Sequence, residues 1–90
     1  MLLTWDDQKA ESNLKKHGVS FEEAVTVFSD PYLQSTLDYY PNEERWITIG
    51  QSYRRRILLI VHTMKDKDGV HIISARLLTR KEQRDYEEGI

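Results

Sequence analysis

The longest unbroken apolar run in the chain has only five residues, ILLIV at positions 57–61. This run is far shorter than the roughly 20 apolar residues that a membrane-spanning helix needs. Short runs of leucine and β-branched residues between polar segments are typical of strands that are covered on both faces. We therefore predict a soluble domain with a central strand over residues 56–63 and other elements packed against both of its sides.

Three segments carry the marks of helices. In the first, Leu14 and His17 follow Ala10 at helical spacing, and Gly18 then supplies the residue type best suited to the left-handed position after a helix. The other two begin with a capping box, in which a hydroxyl and a glutamate three residues later satisfy each other's backbone N–H groups. These pairs are Ser20 with Glu23 and Thr79 with Glu82. The predicted helices cover residues 7–17, residues 20–29 before Asp30-Pro31, and residues 80–89.

Between the second and third helix the apolar period changes to two, which is typical of strands. Four strands are predicted, over residues 32–40, 45–49, 56–63 and 70–78, with turns near residues 41–44, 50–52 and 65–69. Such short connections favour antiparallel pairing. The predicted class is α+β: one domain over residues 1–90 with two N-terminal helices, a four-stranded antiparallel β-sheet and a C-terminal helix.

The chain contains no cysteine. A disulfide scaffold, a thiol nucleophile and a thiolate metal site are therefore excluded, and a reducing compartment, the cytoplasm, is the expected location. Glycine-rich phosphate-binding motifs and Gly-x-Ser-x-Gly are also missing from the sequence. The sequence thus gives no support to NTP binding, dinucleotide binding or serine hydrolase chemistry.

Charge is distributed unevenly along the chain. The net charge is −5 over residues 1–50, +6 over residues 51–84 and −3 over residues 85–90, although the whole chain carries only −2. A basic middle segment can form internal salt bridges with the acidic first half. It can equally form a phosphate-binding surface, because the paired N–H groups of arginine match phosphate oxygens. Composition leaves both interpretations open.

Strand pairing predicts where this positive charge gathers. If Thr63 pairs with Val70 across the last turn, Ile57 lies opposite Arg76. The arginines at positions 54–56 then lie at the same end of the sheet. In the same register His62 and His71 are cross-strand neighbours, which could form a polar pair or ligate zinc. Without HExxH or a third ligand at a fixed offset, we predict no metal site.

Two aromatic residues and one helix-end histidine are further candidates. Trp5 precedes the first helix and Tyr86 lies on the last one, so each could stack on a nucleic-acid base or anchor a helix on the core. His17 ends the first helix, where it could complement the negative helix end or exchange protons. The residues alone do not decide between these roles.

Residues spaced over nearly the whole chain resemble the BrnT family. They are Trp5-Asp6, Lys9, Asn13, KHGVSFEEA at 16–24, Val27-Phe28, Asp30-Pro31, Glu44-Arg45, Ile49-Gly50, IISAR at 72–76, Thr79, Glu82 and Tyr86-Glu87. The resemblance implies a RelE-like fold and a type II toxin, a small ribonuclease that halts translation. It also implies a BrnA-like ribbon-helix-helix antitoxin that inhibits the toxin in a heteromeric complex, with 2:2 as one stoichiometry, and links it to operator DNA. The family usually has basic residues where this chain has Gln83 and Asp85.

The resemblance also implies the roles of site residues. Metal-independent RNA cleavage needs a base, an acid and cations on the phosphate, and no cofactor, and it leaves a 2′,3′-cyclic phosphate. His17 is the expected acid-base group and Arg76 the phosphate clamp, although Arg76 could instead serve a carboxylate such as Glu82. Lys9 and Tyr86 complete the catalytic set. The expected RNA-binding residues are Trp5, Lys16, which is also a candidate base, Arg55, Arg80 and Arg84.

Two other classes of protein remain possible on the sequence. One is a non-enzymatic module that binds a BrnA-like antitoxin and takes part in repressing its own operon. The other is a small DNA-binding protein, which ranks last because no helix-turn-helix or basic recognition helix is evident. Growth arrest on expression without the antitoxin would favour the toxin over both.

Overall fold

The computed structural model describes residues 2–40, 43–64 and 69–89. Within these ranges the chain forms five strands, three α-helices and one 3₁₀ turn. In chain order they are β1 Leu2–Trp5, α1 Asp7–His17, α2 Phe21–Thr26, the 3₁₀ turn Val27–Ser29, β2 Gln34–Tyr40, β3 Glu43–Gln51, β4 Ile57–Met64, β5 Gly69–Leu77 and α3 Arg80–Glu88. None of these helices is both long and apolar enough to cross a membrane. The turn predictions at 41–42 and 65–68 lie outside the described residues.

The five strands form one mixed sheet in the order β1-β5-β4-β3-β2. The central position predicted for β4 is confirmed, but the predicted four-stranded antiparallel sheet is wrong, because β1 adds a fifth strand parallel to β5. Leu2 pairs with Gly69 and Trp5 with Ile72. A four-residue strand whose partner lies more than 60 positions away has no turn beside it in the sequence, so local patterns did not mark it.

The main core lies on one face of the sheet. Leu58 and Ile60 of β4 are fully buried against α2 and the 3₁₀ turn, which supply Phe21, Ala24 and Val27. Burial of each large apolar side chain stabilises the fold by about 1.5–3 kcal/mol. The predicted second helix is α-helical only as far as Thr26. Its remaining residues form the 3₁₀ turn Val27–Ser29.

The opposite face of the sheet is covered at one end by α3. Strand alternation turns Ile57 and Leu59 to this face, away from Leu58. Leu59 is nearly buried, and Tyr86 of α3 lines a cavity together with Ile57. The prediction that β4 has cover on both faces is therefore confirmed at this end. The sheet face beyond Leu59, toward Thr63, belongs to the candidate site described below.

Helix α1 lies along the edge of β5 and uses a polar anchor. The predicted apolar stripe is only partly right: Ala10 packs against the core, but Leu14 is 50% exposed. The buried residue of α1 is Asn13, whose side chain accepts a hydrogen bond from Ala75 N (3.1 Å) and donates to Ala75 O (2.8 Å) and Val19 O (3.0 Å). Pairing between β1 and β5 ends at Ile72, and beyond it the Asn13 side chain pairs with the backbone N–H and C=O of Ala75 on the edge of β5.

The helix caps follow the sequence closely, with one exception. Gly18 adopts the left-handed conformation after α1, at φ 69°, and the Thr79–Glu82 capping box is complete. Ser20 caps α2 by accepting a hydrogen bond from Glu23 N. The Glu23 carboxylate, however, does not return to Ser20 but binds Ser52 and Arg56. A stronger charged partner therefore replaces half of the predicted capping box.

The register between β4 and β5 differs from the prediction. Thr63 pairs with His71 rather than with Val70, so the pairing is already offset by one residue next to the last turn. The irregularity at Val61/His62 adds a second residue, which places Arg76 opposite Leu59 rather than Ile57. His62 and His71 consequently lie on opposite faces and are not the predicted neighbours. His62 is fully buried, with its Nε2 2.7 Å from the Thr48 hydroxyl, and burial lowers its pKa. The His71 Nδ1 lies 2.8 Å from the Thr4 hydroxyl.

Candidate active site

A cavity of about 200 Å³ lies between α1 and the edge of β5. It is lined by Lys9, Ser12, Asn13, Lys16, His17, Ile73 and Ser74. Four of these residues, at positions 9, 13, 16 and 17, have the spacing of one helical face. Because Asn13 ties this face to Ala75, α1 presents its polar side to the sheet edge. Three predicted site residues, Lys9, Lys16 and His17, are thereby brought together.

The charge of the cavity is largely uncompensated. Lys9 and Lys16 are exposed and form no salt bridge within residues 2–40, 43–64 and 69–89. The neighbouring Lys15, by contrast, lies 3.3 Å from Glu11. Two ammonium groups without a carboxylate partner attract an anion such as a phosphodiester.

His17 lies at the end of α1 and is half-buried against the cavity. The left-handed Gly18 ends the helix directly after it, and Gly18 N donates to Leu14 O at 2.9 Å, so His17 is held in the last turn. Imidazole is the side-chain group that most readily exchanges a proton near neutral pH. In this cavity it lies beside the cations that would hold a phosphate.

Arg76 flanks the cavity from the sheet. It follows Ser74 by two positions on β5, so the two side chains lie on the same face, roughly 7 Å apart along the strand. Its guanidinium holds the Glu82 carboxylate through two bonds, Nη1 to Oε1 at 2.8 Å and Nη2 to Oε2 at 2.9 Å. Arg76, together with the Thr79 N–H, lowers the pKa of Glu82 to about 2, and the pairing raises the pKa of Arg76. Of the two roles predicted for Arg76, the carboxylate partner is thus the one formed in this structure.

A second and larger cavity, of about 410 Å³, adjoins the first. The two share Lys9 and Ile73 in their linings, and the second extends over the open sheet face past Thr63 and His71. The Thr63 hydroxyl is buried without a hydrogen-bond partner in the described part of the chain. The cavities therefore form one continuous concave surface from the end of α1 across the strands.

The predicted aromatic site residues lie elsewhere. Trp5 packs on the core, with its ring edge-on to Phe21 at 5.9 Å between ring centroids. Tyr86 is nearly buried and lines a separate cavity of about 290 Å³ with Asp30 and Tyr32. Burial, and then the charge of Asp30, raises the pKa of Tyr86. Neither residue lines the cavity that contains His17.

The remaining predicted cations also lie outside the cavity. Arg80 and Arg84 are exposed on α3, and Arg55 is exposed in the turn between β3 and β4 with φ 63°. In the same turn Arg56 binds Glu23 through Nε at 2.9 Å and through Nη2, and also donates to Gly18 O at 3.2 Å. The arginine run is therefore partly an internal salt bridge, as one of the two interpretations of the charge predicted.

The sequence prediction omitted Ser74, Ile73 and Ser12 from the site. A signal for their neighbourhood was present, because the spacing of Lys9, Asn13, Lys16 and His17 marks one helical face. The strand residues had no such signal, since only the contact between Asn13 and Ala75 brings them to that face. Across the described ranges, no group of three or more histidine and carboxylate side chains could hold a metal ion.

Comparisons with known proteins agree with this architecture. No curated protein is similar enough in sequence to count as a match. A crystal structure at 1.1 Å resolution, that of the Brucella abortus ribonuclease toxin BrnT, matches with a TM-score of 0.65 and 19% identity, over 89% of this chain and 100% of the Brucella chain. At this identity the likeness shows a shared fold. The family model for BrnT, the ribonuclease toxin of type II toxin-antitoxin systems, matches residues 5–82. Because that match covers most of the chain, the predicted resemblance is confirmed, and the protein belongs to the BrnT family of ribonuclease toxins.

Proposed function

We propose that this chain is an endoribonuclease that cuts RNA at the cavity between α1 and β5, without a metal ion, and thereby inhibits translation. The observation that carries the proposal is the placement of Lys9, Lys16 and His17 in one cavity. A proton-exchanging group next to two unpaired cations is the minimum that phosphodiester cleavage by a neighbouring hydroxyl requires.

The reaction follows from these groups. His17 takes the proton of the ribose 2′-hydroxyl, and the 2′-oxygen then forms a bond to the neighbouring phosphorus. The bond from phosphorus to the 5′-oxygen breaks, and His17 returns the proton to that leaving oxygen. The products are a 2′,3′-cyclic phosphate and a 5′-hydroxyl. Lys16 is exposed in the cavity, and we assign it together with Lys9 to binding the charged phosphate.

Arg76 is the third phosphate ligand of this proposal, because it lies on the sheet face beside Ser74. The adjoining cavity is lined by the carboxylates Glu43 and Glu44 as well as by cations, so we assign only its Lys9 end to the RNA. Arg80, Arg84 and Arg55 lie outside both cavities, where exposed cations attract RNA without touching the reacting atoms. In this proposal Trp5 and Tyr86 take no part in the reaction. Their role is to pack β1 and α3 against the rest of the fold.

The proposed partner is a BrnA-like ribbon-helix-helix antitoxin. It would cover the basic end of the sheet near Arg55 and Arg76 and form a heteromeric complex, in which a 2:2 stoichiometry follows if the antitoxin is dimeric. Operator DNA would be reached only through the antitoxin. We place the protein in the cytoplasm, where messenger RNA is available.

Cleavage of end-labelled RNA in excess EDTA tests the enzymatic proposal. We expect wild-type protein to leave a 2′,3′-cyclic phosphate and His17→Ala to leave the RNA intact. A strict requirement for a divalent ion would overturn the metal-independent mechanism. Intact RNA with the folded wild-type protein, together with normal growth on expression without the antitoxin, would instead favour a non-enzymatic module that binds the antitoxin and represses its operon.

A further inference from the structure

The Arg76 guanidinium has more donors than Glu82 uses. Its five N–H groups form a fixed planar array. Both hydrogens of Nη1 are occupied, by Glu82 Oε1 at 2.8 Å and by Leu77 O at 3.1 Å, and one hydrogen of Nη2 is occupied by Glu82 Oε2 at 2.9 Å. The Nε–H and the second Nη2–H have no partner among the described residues. These two N–H groups lie side by side on one edge of the guanidinium and can bind two oxygens of one phosphate.

Glu82 is itself fixed at the start of α3. Its Oε1 accepts a hydrogen bond from Thr79 N at 2.9 Å, while Glu82 N donates to the Thr79 hydroxyl at 3.2 Å. The carboxylate that holds Arg76 is therefore part of the helix cap. Because the pKa of Glu82 is about 2, the carboxylate stays ionised at neutral pH and the pair stays formed.

Pairing with Glu82 has two opposing effects on phosphate binding. It neutralises much of the charge of Arg76, which weakens attraction of an anion at a distance. It also fixes a side chain that otherwise rotates about several bonds, which removes the entropy cost of ordering it when the phosphate arrives. Lys9 and Lys16 provide unpaired charge in the cavity that contains Ser74, two positions before Arg76 on β5, so attraction of an anion to this cavity does not depend on Arg76. Fixing the geometry is then the larger contribution of the pair.

We propose that Glu82 is a positioning residue, which holds Arg76 so that its Nε–H and second Nη2–H bind the phosphate that is being cut. The inference rests on the proposed ribonuclease function. Under this proposal the two roles predicted for Arg76 are compatible. One edge of the guanidinium binds the Glu82 carboxylate, and the other edge binds the phosphate.

A double-mutant cycle on cleavage tests this role. Glutamine also fits a capping box, so Glu82→Gln keeps an acceptor for Thr79 N. It removes the negative charge and one of the two acceptor oxygens that hold the Arg76 guanidinium. We expect kcat to fall about 10-fold with KM within about threefold, because the positioned N–H groups act most strongly in the transition state. In the Arg76→Ala background, Glu82→Gln should cause no further loss. Glu88→Gln, on the same helix, is the control and should cut RNA at the wild-type rate.

A binding measurement separates this proposal from the proposed function. A DNA oligonucleotide, which lacks the 2′-hydroxyl, is titrated into the protein while the NMR signal of the Arg76 Nε–H is followed. We expect the signal to shift in wild type and to require several-fold more oligonucleotide in Glu82→Gln. Wild-type protein that cuts no RNA would overturn the proposed function. Active wild type with unchanged kcat and an unchanged titration in Glu82→Gln, or with additive losses in the cycle, would overturn the positioning role alone.

Discussion

Two arginine–glutamate pairs on this sheet have the same chemistry and different surroundings. Glu23 is 2% exposed and accepts hydrogen bonds from Arg56 and Ser52, and Arg56 also donates to Gly18 O at the end of α1. Glu82 is 32% exposed in its side chain and pairs with Arg76, which follows the cavity residue Ser74 by two positions on β5. The first pair ties α2 to the turn between β3 and β4, whereas the second leaves one edge of the arginine guanidinium without a partner among the described residues.

This difference shows that positive charge in the sequence does not by itself mark an RNA site. Arg56 belongs to the arginine run at 54–56, yet its Nε and Nη2 are used by Glu23. Lys9, Lys16 and His17 come from the acidic half of the chain, yet they form the cavity with free charge. The useful measure is which donors remain unpaired after folding, rather than how many cations a segment contains.

The largest expected effect distinguishes the cavity from the rest of the sheet. We expect His17→Ala to lower RNA cleavage about 10²- to 10⁴-fold and to alter the pH–rate profile near neutrality, because it removes the acid-base group. His71→Ala is the matched control, since His71 lines only the adjoining cavity. Single-turnover kinetics on folded protein measure both. Equal losses in the two variants would contradict the assignment of His17.

Breaking the buried pair between Arg56 and Glu23 should lower the stability of the fold rather than the rate of RNA cleavage. Arg56→Ala leaves the buried Glu23 carboxylate without its main partner, and we expect it to lower the free energy of unfolding by about 3 kcal/mol. Arg54→Ala is the matched control: Arg54 is 58% exposed and 3.9 Å from Glu23, so less than about 1 kcal/mol is expected. Urea denaturation measures both. A loss of cleavage with normal stability in Arg56→Ala would show that Arg56 serves the reaction rather than the fold.

The stability that the two glutamates contribute should depend on pH. The folded-state pKa of Glu82 is about 2, below its ordinary value of 4.5, so its contribution to stability is present above about pH 4.5 and is lost as the pH falls toward 2. Arg56 likewise lowers the pKa of Glu23, which acts in the same direction. We expect the melting temperature of wild type to fall through this window and that of Glu82→Gln to fall less. Identical curves for the two proteins would mean that the ion pair between Glu82 and Arg76 contributes little to stability.

The smallest expected effect concerns the antitoxin. Arg55 is exposed at the basic end of the sheet, so Arg55→Glu should weaken binding of a BrnA-like antitoxin about 10-fold at low salt and less at high salt. Isothermal titration at two salt concentrations measures this. Unchanged affinity at low salt would place the antitoxin on another surface.

Capping residues and periodicity predicted much of this fold, because they act over a few neighbouring residues. Thr79 and Glu82 start α3 as expected, and Gly18 ends α1. Strand β1 could not be predicted in this way, since its partner is the distant β5. The predicted register of β5 was also wrong, because neither the offset at Thr63/His71 nor the irregularity at Val61/His62 has a local sequence mark.

The site was predicted in part for the same reason. Lys9, Lys16 and His17 lie on one helix, so their proximity follows from helical spacing. The strand side of the cavity depends on the hydrogen bonds between Asn13 and Ala75, which helical spacing does not predict. A polar anchor replaced the apolar stripe at this helix, and periodicity of apolar residues cannot reveal such an anchor.

Two neighbouring lysines on α1 test whether RNA is cut in the cavity between α1 and β5. Lys15 and Lys16 are both exposed, but Lys16 lines the cavity whereas Lys15 pairs with Glu11 at 3.3 Å. Single-turnover cleavage of labelled RNA is measured for the two alanine variants at the same ionic strength. We predict that Lys16→Ala cuts at least about 10-fold more slowly than wild type and that Lys15→Ala cuts at the wild-type rate. Equal rates for the two variants would show that RNA is not cut in this cavity.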